Sequence, residues 1–162
     1  MFTDYKEMSA LKMTSGIAMK TILCAIDFSE SSLHTLKYTM SMAQLYHAQV
    51  TVLYCYRLIS ADKEGESLYM KRDMEASALE QFKEIEKQLT HTGKGSYEFV
   101  SEVGFFPSRI ESFMRKTPVS LLVIGNSIVE NFNEYKSLSF DEFLKETKVP
   151  VVIVPPEDNR RS

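Results

Sequence analysis

Asp27, Ser29 and Glu30 follow the apolar run Thr21-Ile22-Leu23-Cys24-Ala25-Ile26, which places an acid and a hydroxyl where a strand gives way to a helix. In an open parallel sheet, groups at the carboxyl end of a strand face the crevice in which ligands bind. A second strand-like run, Leu121-Leu122-Val123-Ile124-Gly125, ends in the same manner. Phosphate-cradling loops need glycines to bring backbone N–H groups close to the ligand, and no glycine follows Gly125. The two junctions together have the form of a nucleotide site without its phosphate grip.

Catalytic chemistry finds little support in the same residues. No serine stands in the G-x-S-x-G context of a nucleophile elbow. His34, His47 and His91 lack the spacing of a metal site and read as solvated positions on helices or their ends. Ser29 beside Asp27 has no general base near it in sequence, and N-capping explains it better. Cys24 and Cys55 lie in apolar strand-like runs without CxxC spacing, so both read as buried free thiols. We expect no catalytic residue and no metal.

A length of 162 residues suits one domain. A net charge of −3 gives no general attraction for nucleic acid or anionic lipid. Apolar runs such as Val149 to Pro156 fall far short of the ~20 residues that span a bilayer. Asp4, Lys6, Glu7 and Lys12 interrupt any leader-like apolar stretch. The expectation is a soluble, cytoplasmic protein without nucleic-acid or membrane partners.

The period of the apolar residues gives the elements that must position the junctions. Lys20 to Phe28 reads as a strand buried on both faces. Ser29 offers an N-cap to a helix whose stripe is Leu33, Leu36, Met40 and Ala43, ending near His47. Gln49 to Arg57 reads as a second strand. A long helix follows with Met74, Ala78, Phe82, Ile85 and Leu89 inward and Lys71, Glu75, Glu84, Glu86 and Lys87 solvated, stopped by Thr92-Gly93-Lys94-Gly95. Ser96 to Gly104 is a third strand, and Pro107 opens a helix carrying Ile110, Phe113 and Met114. Leu121 to Asn126 is a fourth strand, Ser137 to Thr147 a fourth helix through Leu138, Phe140, Phe143 and Leu144, and Val149 to Val154 a fifth strand. Strands alternating with helices imply an α/β fold with right-handed crossovers and a parallel sheet covered on both faces. Residues 1–19 stand outside this pattern as a flexible extension, 20–156 form the domain, and 157–162 are a short polar tail.

The run Ile22 to Ser32, the Val52-Leu53 strand, the step Gly104…Pro107-x-x-Ile110, Leu122-Val123-Ile124-Gly125 and the ending Val149-Pro150-Val151-Val152-Ile153-Val154-Pro155 resemble a universal stress protein domain. The resemblance runs in order from about Lys20 to Pro155. It implies an open, Rossmann-like five-stranded parallel sheet in the order 3-2-1-4-5, dimerising through the last strand. Nucleotide-binding members carry a glycine, two residues, a glycine, nine residues, and a glycine followed by Ser or Thr. Counted from Gly125, the second and third glycine positions are Ile128 and Leu138, and only Ser139 agrees. Glu130 and Glu134, read in the same loop, would repel phosphates. Asp27 matches the acid that contacts the nucleoside in binding members; the competing reading has it accept backbone N–H groups of the next turn.

Val149, Val151, Val152, Ile153 and Val154 would form an exposed edge strand, an aggregation hazard unless another chain pairs with it. Two-fold antiparallel pairing closes that edge, since an isologous contact cannot propagate. The expectation is thus a non-enzymatic, ATP-independent stress-response regulator or interaction module acting as a homodimer, with no cofactor and with protein partners. The alternative is an adenine-nucleotide (ATP or AMP) sensor or weak ATPase that uses Asp27, Gly125, Ser139 and nearby backbone groups.

Overall fold

The computed structural model describes residues 19–58, 65–89, 96–134 and 139–158. Its strands are β1 (Thr21–Ile26), β2 (Gln49–Tyr56), β3 (Tyr97–Val103), β4 (Leu121–Gly125) and β5 (Val151–Val154). They pair in parallel in the order β3-β2-β1-β4-β5, as the resemblance implied. The helices are α1 (Glu30–Tyr46), α2 (Glu66–Leu89), α3 (Phe106–Lys116), α4 (Asn126–Glu134) and α5 (Phe140–Glu146).

Alternate residues of the central strands feed two cores, one on each face of the sheet. Ile22, Cys24 and Ile26 join Val50, Val52 and Val123 under Leu36, Met40 and Ala43 of α1 and Phe82 and Leu89 of α2. Leu23, Ala25, Leu53, Leu122 and Ile124 face the other way, beneath Ile110 of α3, Ile128 and Phe132 of α4, and Phe140 and Phe143 of α5. Strands buried on both faces explain the unbroken apolar runs in the sequence. Cys24 and Cys55 are both buried and free, and lie in opposite cores, so the sheet itself keeps the thiols apart.

Several boundaries differ from the sequence reading. β1 stops at Ile26, because Phe28 takes a left-handed conformation at φ 59° and turns the chain toward α1. β5 begins at Val151 rather than Val149: Pro150 has no N–H to give the ladder and contributes only its carbonyl, which accepts from Leu122 N at 3.0 Å. α1 ends at Tyr46 with His47 as a left-handed cap (φ 53°), close to where the apolar stripe stopped. Glu75 and Glu86, read as solvated, accept the hydroxyls of Tyr56 (3.2 Å) and Tyr97 (2.8 Å) and tie α2 to β2 and β3. The stop at Thr92 to Gly95 lies outside the described residues.

The largest difference is α4. The segment after Gly125, read as a loop, is a helix from its first residue, with Ile128 and Phe132 one turn apart and 1% and 0% exposed. Phe132 packs against Phe140 and Phe143 with ring centroids 5.3 and 4.9 Å away. Leu144, expected on the inner face of the helix before β5, is 40% exposed. Phe132→Ala should therefore cost about 3–5 kcal/mol of unfolding free energy in urea, and Leu144→Ala less than about 1. Equal costs would contradict this assignment of the core.

Candidate functional site

β1 and β4 are hydrogen-bonded neighbours at the centre of the sheet, and the chain runs outward from β1 to β3 before returning to β4. Their carboxyl ends form the switch point where open α/β sheets place ligands. Asp27 follows β1 and Gly125 ends β4, so the structure brings these two sequence-selected residues to the same place.

A cluster of hydroxyls occupies that place. Asp27 Oδ1 accepts Ser29 N–H at 3.0 Å and the Ser32 hydroxyl at 3.2 Å. The Ser29 hydroxyl lies 3.0 Å from that of Ser31 and 3.3 Å from that of Ser127, the second residue of α4. Burial pushes the Asp27 carboxyl up, but hydrogen bonds from the Ser29 side chain and backbone and from the Ser127 and Ser32 hydroxyls outweigh it and hold the group below its ordinary 3.8. The turn-capping reading of Asp27 is thus realised in its geometry. Ser29 stands at the N-cap position of α1, as expected, yet its hydroxyl makes no capping bond and joins the cluster instead.

Gly125 has a steric reason to be glycine. A Cβ there would sit 2.8 Å from Thr35 Oγ1 of α1. Thr35 is buried and its hydroxyl donates to the Ser31 carbonyl at 2.9 Å, so it cannot swing away freely. The glycine lets α1 lie against β4 and close the cluster from one side.

Ser139 is employed elsewhere. It caps α5 in a capping box: its hydroxyl accepts Glu142 N–H at 3.2 Å, and its own N–H donates to Glu142 Oε2 at 3.1 Å. It shares no hydrogen bond with Asp27 or the hydroxyl cluster. Glu130 lies on α4 rather than in a loop and accepts from Asn126 Nδ2 at 3.3 Å; Leu138 lies outside the described residues. Ser127, which the sequence reading missed, joins the cluster across 98 residues of chain.

A model of the universal stress protein family matches residues 19–155. The chain belongs to that family. Solved universal stress proteins share its fold: one in complex with cAMP is 18% identical, with a TM-score of 0.64 over 86% of this chain and 98% of the other. A family member from Burkholderia pseudomallei is 22% identical, with a TM-score of 0.61 over 86% and 98%. A universal stress protein from Lactobacillus plantarum is 15% identical, with a TM-score of 0.63 over 86% and 99%. No curated protein matches the sequence significantly.

Among universal stress proteins, a phosphate grip needs close backbone N–H groups after the fourth strand. Here that strand passes directly into a helix, and the position of the second glycine is a core isoleucine. The residues present do not fit a triphosphate held in that way. Among the described residues no group of three or more His, Cys, Asp or Glu could hold a metal, and no helix is long and apolar enough to cross a membrane.

Gly125→Ala should destabilise the protein by about 1–3 kcal/mol, and Thr35→Ala in the same chain should recover part of that loss. Purely additive costs in that cycle would rule out the contact as the reason for the glycine. Because the folded Asp27 carboxyl titrates below its unfolded value, its contribution is present above pH 3.8 and fades as pH falls through the folded value. Asp27→Asn should thus lower stability at neutral pH by no more than about 1 kcal/mol, because solvent screens the partly exposed carboxylate, with the gap to wild type closing in acid. A gap independent of pH would remove the charge from the explanation.

Proposed function

We propose that this universal stress protein is a non-enzymatic, ATP-independent regulator or interaction module that works as a homodimer. The observation that carries the reading is α4: Ile128 and Phe132 tie the segment after Gly125 into the core, leaving no glycine-lined cradle for phosphates. Asp27 already accepts a backbone N–H and a hydroxyl, so the donors around it answer a carboxylate within the chain.

β5 supports the dimer. It pairs only with β4 among the described residues, and it alternates Val152 and Val154 toward one core with Val151 toward the other. Ile153 is 42% exposed. Val149, just before the strand, is partly buried in the core beneath α3 to α5, and we place it at the margin of the interface.

The cAMP complex of a similar protein keeps a second reading in view, a nucleotide sensor centred on Asp27 and Gly125. Thermal shift with ATP and AMP, paired with sedimentation, separates the two. We expect a dimer at micromolar concentration, disrupted by Ile153→Asp, and no shift with either nucleotide. A ligand at 100 times its dissociation constant would add ~2.7 kcal/mol, so a clear shift with AMP, abolished by Asp27→Ala, would favour the sensor. A monomeric wild type would remove the dimer.

A further inference from the structure

The sheet ends on one side at β3, which pairs only with β2 among the described residues. The Ser96 carbonyl accepts from Val50 N–H at 3.0 Å and Gly104 N–H donates to the Tyr56 carbonyl at 2.8 Å, with an unbroken parallel register between them. Alternate residues of such a strand bond to the same neighbour. Glu98, Val100 and Glu102 therefore turn their backbone groups toward β2, while Tyr97, Phe99, Ser101 and Val103 aim four N–H and four C=O groups outward. The opposite edge is shorter: the Pro150 carbonyl accepts from Leu122 N–H, which leaves Val151 and Ile153 as the residues of β5 with outward N–H groups. We propose that the β3 edge takes up an extended basic segment of another protein as an added strand.

The side chains select the charge. Glu98 and Glu102 stand on the same side of β3 as Val100, and four residues of strand set them about 13 Å apart. Glu98 is exposed and gives one oxygen to the Thr51 hydroxyl at 3.1 Å. Glu102 is 33% exposed and meets Arg109 only at 4.0 Å. Both carboxylates keep acceptor capacity for a Lys or Arg on a neighbouring strand, where opposite charges stabilise the pairing and like charges weaken it. On the other side, Phe99 stacks on Phe82 with ring centroids 4.4 Å apart and the Tyr97 hydroxyl donates to Glu86 at 2.8 Å, so α2 holds the edge in place.

The same acids argue against a second copy of this chain as the occupant. Two β3 edges joined about a two-fold axis would set Glu98 and Glu102 of one copy against those of the other, and β3 carries no Lys or Arg to offset them. In strand addition, main-chain hydrogen bonds supply affinity and alternate side chains supply specificity. Two basic residues four apart, flanking a β-branched one, would answer Glu98, Val100 and Glu102. The inference gives the interaction-module reading a class of partner and rests on it. That reading is itself tested at β5 and Asp27, away from β3, so the two can fail separately.

The test is amide hydrogen exchange by NMR on the full chain, alone and with the capped peptide Thr-Lys-Thr-Val-Thr-Lys-Thr at millimolar concentration. Its sequence reads the same in both directions and suits either strand orientation; the same peptide with Glu in place of Lys is the control. We expect the amides of Tyr97, Phe99, Ser101 and Val103 to exchange readily in dilute protein and to slow about fivefold or more with the lysine peptide, while those of Glu98, Val100 and Glu102 stay protected throughout. The control peptide should slow none of them. Glu98→Gln with Glu102→Gln leaves Thr51 an acceptor and should remove most of the slowing. Ser101→Pro deletes one outward N–H, a change that an edge strand tolerates, and should have the same effect in protein that melts like wild type. Outward amides already slow in dilute protein would assign the edge to this chain's own residues, and slowing that grows with protein concentration would assign it to a second copy. Either result overturns the inference, as does a lysine peptide that slows none of the four amides or that acts no better than its control. Failure of the interaction-module reading would show instead as a thermal shift with AMP, which involves no amide of β3.

Discussion

The approach of Thr35 to Gly125 fixes what the carboxyl edge of the sheet can become. With no Cβ on the last residue of β4, α1 packs directly against the strand end. That contact brings Ser31 beside Ser127, and through Ser29 it brings the start of α4 within reach of Asp27. Two helix N-termini therefore converge on one carboxylate, an arrangement their aligned backbone dipoles favour. The hydroxyls complete its coordination. A polar cluster satisfied from within the chain costs little to bury, whereas one awaiting a ligand would leave donors unpaired.

α4 follows from the same geometry and from sequence. Loss of the glycines removes the flexible backbone that would wrap a phosphate. Isoleucine and phenylalanine one turn apart supply instead an apolar stripe that belongs under the α3 to α5 layer. Burying two large side chains is worth about 1.5–3 kcal/mol each, enough to fix a nine-residue helix that would be marginal alone. The core gains two large side chains there.

Much of this was legible in the residues. The strand order came from family resemblance, while the β1–α1 junction, the end of α1 at His47 and the Pro107 start of α3 came from period and capping chemistry. α4 was missed because its residues were counted against a glycine pattern, although Ile128, Val129 and Phe132 stand at helical spacing and Gly125 alone argues for a turn. The role of Ser127 was invisible because the hydrogen bond joins residues almost a hundred positions apart. Glu75 and Glu86 lie off the buried stripe of α2 as its period implies, but nothing along α2 announces the tyrosines on β2 and β3 that they meet.

Independence from nucleotide is the claim on which the functional picture rests. The most direct measurement is to denature freshly purified protein and identify the released small molecules by mass spectrometry. The closed cluster at Asp27 and the helical α4 predict an extract free of adenine nucleotides. Stoichiometric recovery of ATP, AMP or a cyclic nucleotide would contradict the picture and return Asp27 and Gly125 to a binding role.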